Sequence, residues 1–535
     1  MSTENEKTDE VYSFHTFILP FTYKQGDQGE DKDRNEFEKL LEKNKAWQKV
    51  NWSKDELPEY DLCKWNDDQD SSSAYATFQY FNAAGRAAIL GIDKGHTIVS
   101  KYLFKPQNQK GNMIYKINIL TVTDASSDKE KEVERSYLLN VYAIRLQVYD
   151  NNVAILIIES TYDGNGGTGE KVIKEINQYG RRIRMPFIPP ALVDGETAKS
   201  LELYIGNDKI LNDDFSKHLF KNNKGKNPPL LFIPEFILRL LDYGSCEQWA
   251  NYSKNQENKS RDTFIIQPIN DDRMFVACSV CDEELLRCYK EKNWQDRYLY
   301  QSDYNLARRL YSILFVDKDS ATCQNQQMIQ KILEKSVYGR WLDCGTLHAA
   351  THHSMVCLTG KYNNDMIKYT VVRPFLTEYV EMLTLVLAQR ATIIVLQDAA
   401  SRLSNKGKDK LMDLQKKYVA LQNQLLLFEV TPQEQGIEMY QLLRRQLYLT
   451  EEQDVLEKQL HNLYEMVTIQ QTADIAKGGL ILAVIVALVT IAAFVVGSGF
   501  YFEECGVPIR LGMCASFLLA SILIWKIYVL IRFKI

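Results

Sequence analysis

Residues 478–502 read GGLILAVIVALVTIAAFVVGSGFYF, 25 consecutive positions without a charged side chain. A helix needs about 20 apolar residues to cross the hydrocarbon core of a bilayer, so this stretch reads as a transmembrane helix. Toward the C-terminus, residues 511–531 form a second apolar run whose one charge, Lys526, lies close enough to an end for its stem to snorkel to the headgroups. The connection Glu503–Arg510 carries two acids and one base, whereas Lys477 precedes the first run and Lys526, Arg532 and Lys534 gather at the end of the second. That asymmetry predicts a hairpin with both termini in the cytoplasm and a short acidic external loop.

Upstream, residues 431–477 read TPQEQGIEMYQLLRRQLYLTEEQDVLEKQLHNLYEMVTIQQTADIAK. Thr431 suits an N-cap and Pro432 the first helical position, and nothing after Gly436 would stop a helix before the membrane. The expectation is one unbroken helix from Pro432 to Phe500, about 100 Å long at 1.5 Å per residue. A rod of that length needs copies of itself to pack on. Leu442, Leu449, Leu456 and Leu463 fall seven apart, with Met439, Gln446, Gln453, Leu460 and Val467 at the complementary heptad position. The two glutamines would fix register or oligomer state.

Continuing the register puts Gln470 and Asp474 on the seam just before the bilayer, where a symmetric oligomer would stack them as polar and acidic rings. The alternative is that Asp474 faces solvent. Within the span the same face continues through Gly478, Ile481, Ile485 and Leu488 to Ala492, Val496 and Gly499, an apolar lining able to close a pore by dewetting. A competing face, Gly479, Ala483, Ala487 and Thr490, is a stripe of small residues suited to close helix packing. Which face lines an axis stays open at this point.

The whole chain has 535 residues, enough for two to four domains. Its 45% hydrophobic and 25% charged residues are those of an ordinary globular protein. A net charge of −5 is no nucleic-acid footprint. The polar start MSTENEKTDEVYS predicts no cleaved leader peptide, so the region before the hairpin is expected in the cytosol with its cysteines reduced.

That region reads as a mixed α/β domain over residues 1–375, with a candidate linker, KNNKGKNPP, at 221–229. Strands are expected at His15–Phe21, Asn152–Glu159 and Asp262–Pro268, with Asp262–Val280 carrying two such runs around the turn Asn270-Asp271-Asp272, and helices at Arg34–Lys49, Pro234–Leu241 and Asn305–Leu314. The likeness of TFILP at 16–20 to TFIIQP at 263–268 hints at two related halves. A helical hairpin follows over 376–430, broken near Asn405-Lys-Gly407, then the stalk at 431–477 and the membrane hairpin. The apolar run Met382–Gln397 is short and contains Arg390, so it reads as a core helix and not a third span.

Taken together, a large α/β domain, a long helix running into a first span, a short acidic loop and a second span with a basic end resemble the CorA family of divalent-cation channels over the whole chain. The resemblance implies a funnel-shaped homopentamer in a bacterial inner membrane, its first spans lining the pore at Asp474, Gly478, Ile481, Ile485, Leu488, Ala492 and Gly499. The family's Gly-Met-Asn signature at the pore mouth is here Gly499-Phe500-Tyr501, followed by Phe502, Glu503 and Glu504. No amide replaces the asparagine that helps bind hydrated magnesium, which argues against a housekeeping magnesium transporter and leaves a divalent cation in the pore as the implied cargo. The segments RPFLTEYVEMLTLVLAQRATIIVLQ (373–397) and GRWLDCGTLHAATHHSMVCLTG (339–360) look like a divergent branch associated with type III CRISPR systems, in which the channel is an effector opened by a conjugate of S-adenosylmethionine and AMP.

Several side chains invite a chemical reading. Cys278-Ser-Val-Cys281, with Cys344, His348, His352 and His353, offers zinc-ligand types, but the pair sits in a β-rich run and no second CxxC follows, so buried thiols are expected. Asp163-Gly-Asn-Gly-Gly-Thr-Gly169 is glycine-rich without the lysine of a P-loop or a strand-to-helix setting, and reads as a mobile turn. Arg181, Arg182 and Arg184 would suit a phosphate if exposed together, with a solvated basic turn as the alternative. No Ser-His-Asp or Cys-His arrangement has local sequence support, so no enzymatic activity and no resident cofactor are expected. A membrane-tethered binding module or enzyme remains the reading from another class.

Overall fold

The computed structural model describes residues 11–25, 33–50, 71–92, 97–106, 111–123, 131–183, 195–215, 235–241, 249–251, 264–269, 273–283, 285–286, 304–317, 321–360, 365–403 and 408–499. Arg184, the linker at 221–229, Tyr501, Glu503, Glu504, the external loop, the second apolar run and the basic tail lie outside them, and Ala492 and Gly499 are described only as helical backbone. The chain divides into two compact units, Met1–Ala399 with Leu414–Leu456, and Ala400–Asp413 with Glu457–Ile535.

The first unit is α/β. Its strands are β1 (Ser13–Gln25), β2 (Trp47–Val50), β3 (Val99–Phe104), β4 (Met113–Thr123), β5 (Lys131–Tyr149), β6 (Val153–Tyr162), β7 (Gly195–Ile205), β8 (Asp208–Asp214), β9 (Trp249–Asn251), β10 (Phe264–Pro268), β11 (Phe275–Cys281), β12 (Val337–Tyr338), β13 (Thr346–Ala350) and β14 (Ser354–Thr359). They form one mixed sheet whose main path runs β12-β13-β14-β11-β1-β6-β5-β4-β7-β8. The central strands are apolar on both faces: Ala154 to Ile158 in β6 and Phe17 to Phe21 in β1 read as near-continuous hydrophobic runs, and helices must therefore cover both sides. Antiparallel pairing in the register Phe17↔Ile158 and Ile18↔Ile157 joins the two.

The described helices are α1 (Asp33–Lys43), α2 (Ser71–Tyr80), α3 (Glu170–Gly180), α4 (Glu235–Leu241), α5 (Tyr304–Phe315), α6 (Gln326–Ser336), α7 (Val380–Arg402), α8 (Lys408–Gln424), α9 (Glu434–Gln446) and α10 (Leu449–Gly499), with shorter turns between. In α3, Val172, Ile173, Ile176 and Tyr179 face the sheet. Gly180 closes that contact, since a Cβ there would lie 2.6 Å from Phe17 and 2.8 Å from Ile117. Two successive π-helical turns, Lys368–Val372 and Phe375–Tyr379, lead into α7, whose hydroxyl-bearing and small residues are buried along with its leucines.

Three sequence readings need correction. The helix expected over Arg34–Lys49 ends at Lys43, and Trp47–Val50 instead pairs with β3 as strand β2; β10, which carries FIIQP, pairs antiparallel with β1. The glycine-rich segment does have a strand-to-helix setting, between β6 and α3, and Gly164-Asn-Gly-Gly-Thr-Gly169 spells GxGxxG. The stalk is not one helix from Pro432. It breaks between α9 and α10 at Tyr448, whose φ of 53° is left-handed. Leu447 and Leu449 are both buried, and residues two apart point to opposite sides of a helix, so a continuous helix would have exposed one of them.

The N-terminal end of α9 is held by unusually close approaches. Asn82 N donates to Val430 O at 2.9 Å, Thr431 Oγ1 donates to Tyr80 O, and a Cβ on Gly436 would lie 2.4 Å from Tyr80 Oη and 2.6 Å from Thr431 Cγ2. Gly436→Ala is therefore expected to lower stability by about 1–3 kcal/mol through overpacking. Gly339→Ala, where an added Cβ meets nothing within 4 Å, is the control. Thermal unfolding of the detergent-solubilised protein separates them, and equal midpoints would remove the packing argument.

Candidate functional site

Among the described residues, two helices are long and apolar enough to cross a membrane, Lys368–Arg402 and Leu449–Ile491. Their surroundings differ: the most apolar stretch of the first is 83% buried within the chain and that of the second 0%. The first is therefore a core helix, as its buried Leu383, Val386, Leu387 and Ile393 require. The second, in α10, is apolar around its whole circumference and uncovered, with Leu480, Ile481, Leu482, Ile485, Val486 and Val489 exposed, which is the pattern of a helix meant for lipid or for other chains.

Along α9 and α10 the sequence-derived positions separate into two groups. Met439, Leu442, Leu449, Leu456 and Leu460 are buried by their own chain, so this part of the heptad seam is occupied without a second copy. A charge at Leu456 would disrupt this packing and say nothing clear about assembly. Beyond it, Leu463 and Val467 are half-buried, and Gln470, Asp474, Gly478, Ile481 and Ile485 are exposed, with Leu488 half-buried. Asp474 Oδ1 lies 3.7 Å from Lys477 Nζ, an exposed pair one turn before the apolar run.

Arg181 and Arg182 are not part of a solvated turn. Arg181 caps the C-terminus of α3 and is 1% exposed, and Arg182 is also buried. A cation there meets the negative end of the helix dipole. Arg181 Nη2 donates to Gln178 Oε1 at 3.1 Å, and its carbonyl accepts from Met274 N at 2.7 Å. The backbones of Arg182 and Arg273 form an isolated antiparallel bridge.

The GxGxxG turn is already satisfied from within. Gly166 N donates to Tyr162 Oη at 2.8 Å, Gly169 N to Tyr12 Oη at 2.6 Å, Asn165 N to Asp163 Oδ1 at 2.9 Å and Gly167 N to Gly164 O at 2.9 Å. A phosphate cradle would aim such amides outward. Glu170, the first residue of α3, adds negative charge where a phosphate would sit and pairs with Lys174 and Arg309.

Cys278 and Cys281 are three apart on β11 and so project to opposite faces. Cys344 is exposed, His348 buried and His352 half-buried. Among the described residues, no group of three or more His, Cys, Asp or Glu is placed to hold a metal ion.

Two buried constellations escaped the sequence reading. In the first, His15 Nδ1 donates to Asn177 Oδ1 at 2.7 Å, Ser13 Oγ lies 2.8 Å from His15 Nε2, and Cys278 Sγ lies 3.6 Å from His15 Nδ1. The order Ser–His–Asn has the form of a hydrolytic triad, yet all four side chains are buried and burial pushes the Cys278 thiol up to about 12. In this closed form the set satisfies its own polar atoms. In the second, Glu381 of α7 accepts from Lys101 Nζ at 2.7 Å, from Gln147 Nε2 at 3.1 Å and from Arg145, which in turn donates Nε to Glu159 at 2.8 Å. Two cations and two anions thus neutralise each other between the sheet and α7. Burial alone would raise Glu381, but Lys101 and Arg145 outweigh it and hold the carboxyl below its ordinary range.

His348 lies among Tyr338, Phe375 and Tyr379, with ring centroids 6.3, 6.0 and 5.6 Å away, and neither ring nitrogen has a hydrogen-bond partner. No protein-family model matches the chain, and neither the curated proteins nor the solved structures contain a match to it.

Burial pulls both His15 and His348 from 6.5 down to about 4. The unfolded chain therefore binds more protons between those values, and stability falls as pH falls through that window, by about 3 kcal/mol per histidine at its lower end. His348→Phe keeps a ring among the three aromatics and removes one of the two titrations. The expected result is a smaller drop in unfolding midpoint between pH 7 and pH 4.5 than in the parent protein, and an unchanged drop would show that His348 is not held neutral.

Proposed function

We propose that the protein is a cation channel of a bacterial inner membrane, assembled as a homo-oligomer of the CorA type with α10 around the axis. Its α/β body senses a negatively charged nucleotide messenger, and the reading extends to an antiviral effector of a type III CRISPR system opened by an S-adenosylmethionine–AMP conjugate. The observation that carries the proposal is the contrast between the two long apolar helices: only the stretch in α10 is left bare by its own chain. Asp474 is exposed just outside that stretch and would concentrate cations at one mouth. Rings of Ile481, Ile485 and Leu488 would form a dehydrated barrier when narrow. A sheet of this size exceeds what anchoring requires, which favours a sensing role.

Reconstitution into liposomes tests the proposal. Leu488→Ser is expected to leak cations without messenger. Asp474→Asn is expected to lower cation flux severalfold while leaving messenger affinity, measured by calorimetry, unchanged. A protein that is monomeric in detergent and passes no ions in any of these forms would instead be a tethered module.

A further inference from the structure

We infer that the junction between α9 and α10 is a two-state joint, held bent by contacts from the α/β body and able to become one continuous helix when they release. The inference stands whether or not the span conducts ions. Residues 437–477 contain neither glycine nor proline, so nothing local stops the helix at Tyr448. A bulky side chain in the left-handed region is disfavoured, and here an exposed tyrosine adopts it. The bend is therefore imposed from outside.

Contacts on both sides of Tyr448 impose it. On the α9 side, Arg340 reaches Glu434 at 3.0 Å and Glu438 at 2.8 Å. At the far end of α9, Arg445 Nη2 and Gln446 Nε2 both donate to Lys335 O, at 3.2 and 2.7 Å, and His352 Nδ1 lies 3.4 Å from Gln446 O. On the α10 side, Arg390 Nη2 meets Glu452 Oε1 at 3.0 Å and Gln397 Nε2 donates to Glu452 O at 3.0 Å. Burial of Leu447 and Leu449 works with these contacts, while the strain at Tyr448 and the helical bonds missing at the break work against them. The Arg340 pairs are largely solvent-exposed, a class of contact weak enough to be undone by a modest change at the edge of the sheet.

Hydrogen–deuterium exchange on the full-length protein in detergent reads the joint through the amides of Leu449, Thr450 and Glu451. In the bent form they open α10 and have no carbonyl one turn back; in a continuous helix they would bond Arg445, Gln446 and Leu447. Tyr448→Ala keeps the left-handed cost and improves helix propensity, and Arg340→Glu breaks the outer grip. Each is expected to slow these three amides tenfold or more. Tyr448→Gly removes the left-handed cost and disfavours the helix, so its amides should exchange as fast as the parent's, and it should cancel Arg340→Glu in the double variant. Exchange across β6 reports whether each variant is folded; if Arg340→Glu is not, Tyr448→Ala decides alone. Amides that remain as fast in Tyr448→Ala as in the parent would overturn the inference.

Discussion

Glu381 is the point on which the first unit turns. It enters the structure in the apolar first half of α7 and is tolerated there only because Lys101 and Arg145, from β3 and β5, arrive at its two oxygens. Arg145 is in turn shared with Glu159 of β6, so three strands and α7 meet through one neutral cluster. Such a group adds little over a packed apolar core, yet stranding one of its charges costs about 3–5 kcal/mol, so it enforces one alignment of helix on sheet. The π-helical turn Phe375–Tyr379 immediately before α7 then sets the rotation at which Glu381 faces inward.

From that alignment the path to α10 is short. Gln389 of α7 donates to Leu425 O and Tyr440 Oη, while Arg390 and Gln397 hold Glu452. The β12–β14 edge of the sheet reaches α9 through Arg340 and His352, and α6 reaches it through Lys335 O. Helix α9 is thus held by α7 and by this edge, and is followed directly by α10, whose apolar stretch is uncovered among the described residues.

The helices with strong apolar period were legible in the sequence: α5, α4 and the core helix α7 fall where periodicity places them, and Arg390 correctly marked α7 as internal. Strands β1, β6, β10 and β11 announced themselves by β-branched and aromatic runs. The break at Tyr448 was illegible because its cause is tertiary: two leucines that cannot share a helical face are both buried. The ionic cluster was harder still, since Lys101, Arg145, Glu159 and Glu381 are spread over 280 positions; the available signal was a lone charge inside each of several apolar runs. Arg181 and Arg182 look like an exposed basic patch as a string of letters, and only the helix that precedes them explains their burial. The bare stretch of α10 was legible at once, because the run without charge that opens at Gly478 is longer than a core helix of this size needs.

Strand β1 has a consequence for how the chain is made. It comes first in the chain among the described strands, and its neighbours on the finished sheet are β6 on one side and β10 and β11 on the other. From the end of β1 at Gln25 to the start of β11 at Phe275 is 250 positions. At elongation rates of about 5–20 residues per second, one apolar edge of β1 waits roughly 10–50 s for its partner. During that interval β1 and β6 can already pair, leaving a long hydrophobic edge open to any other strand in reach. Chaperone occupancy during synthesis should therefore govern how much of this protein reaches its folded state.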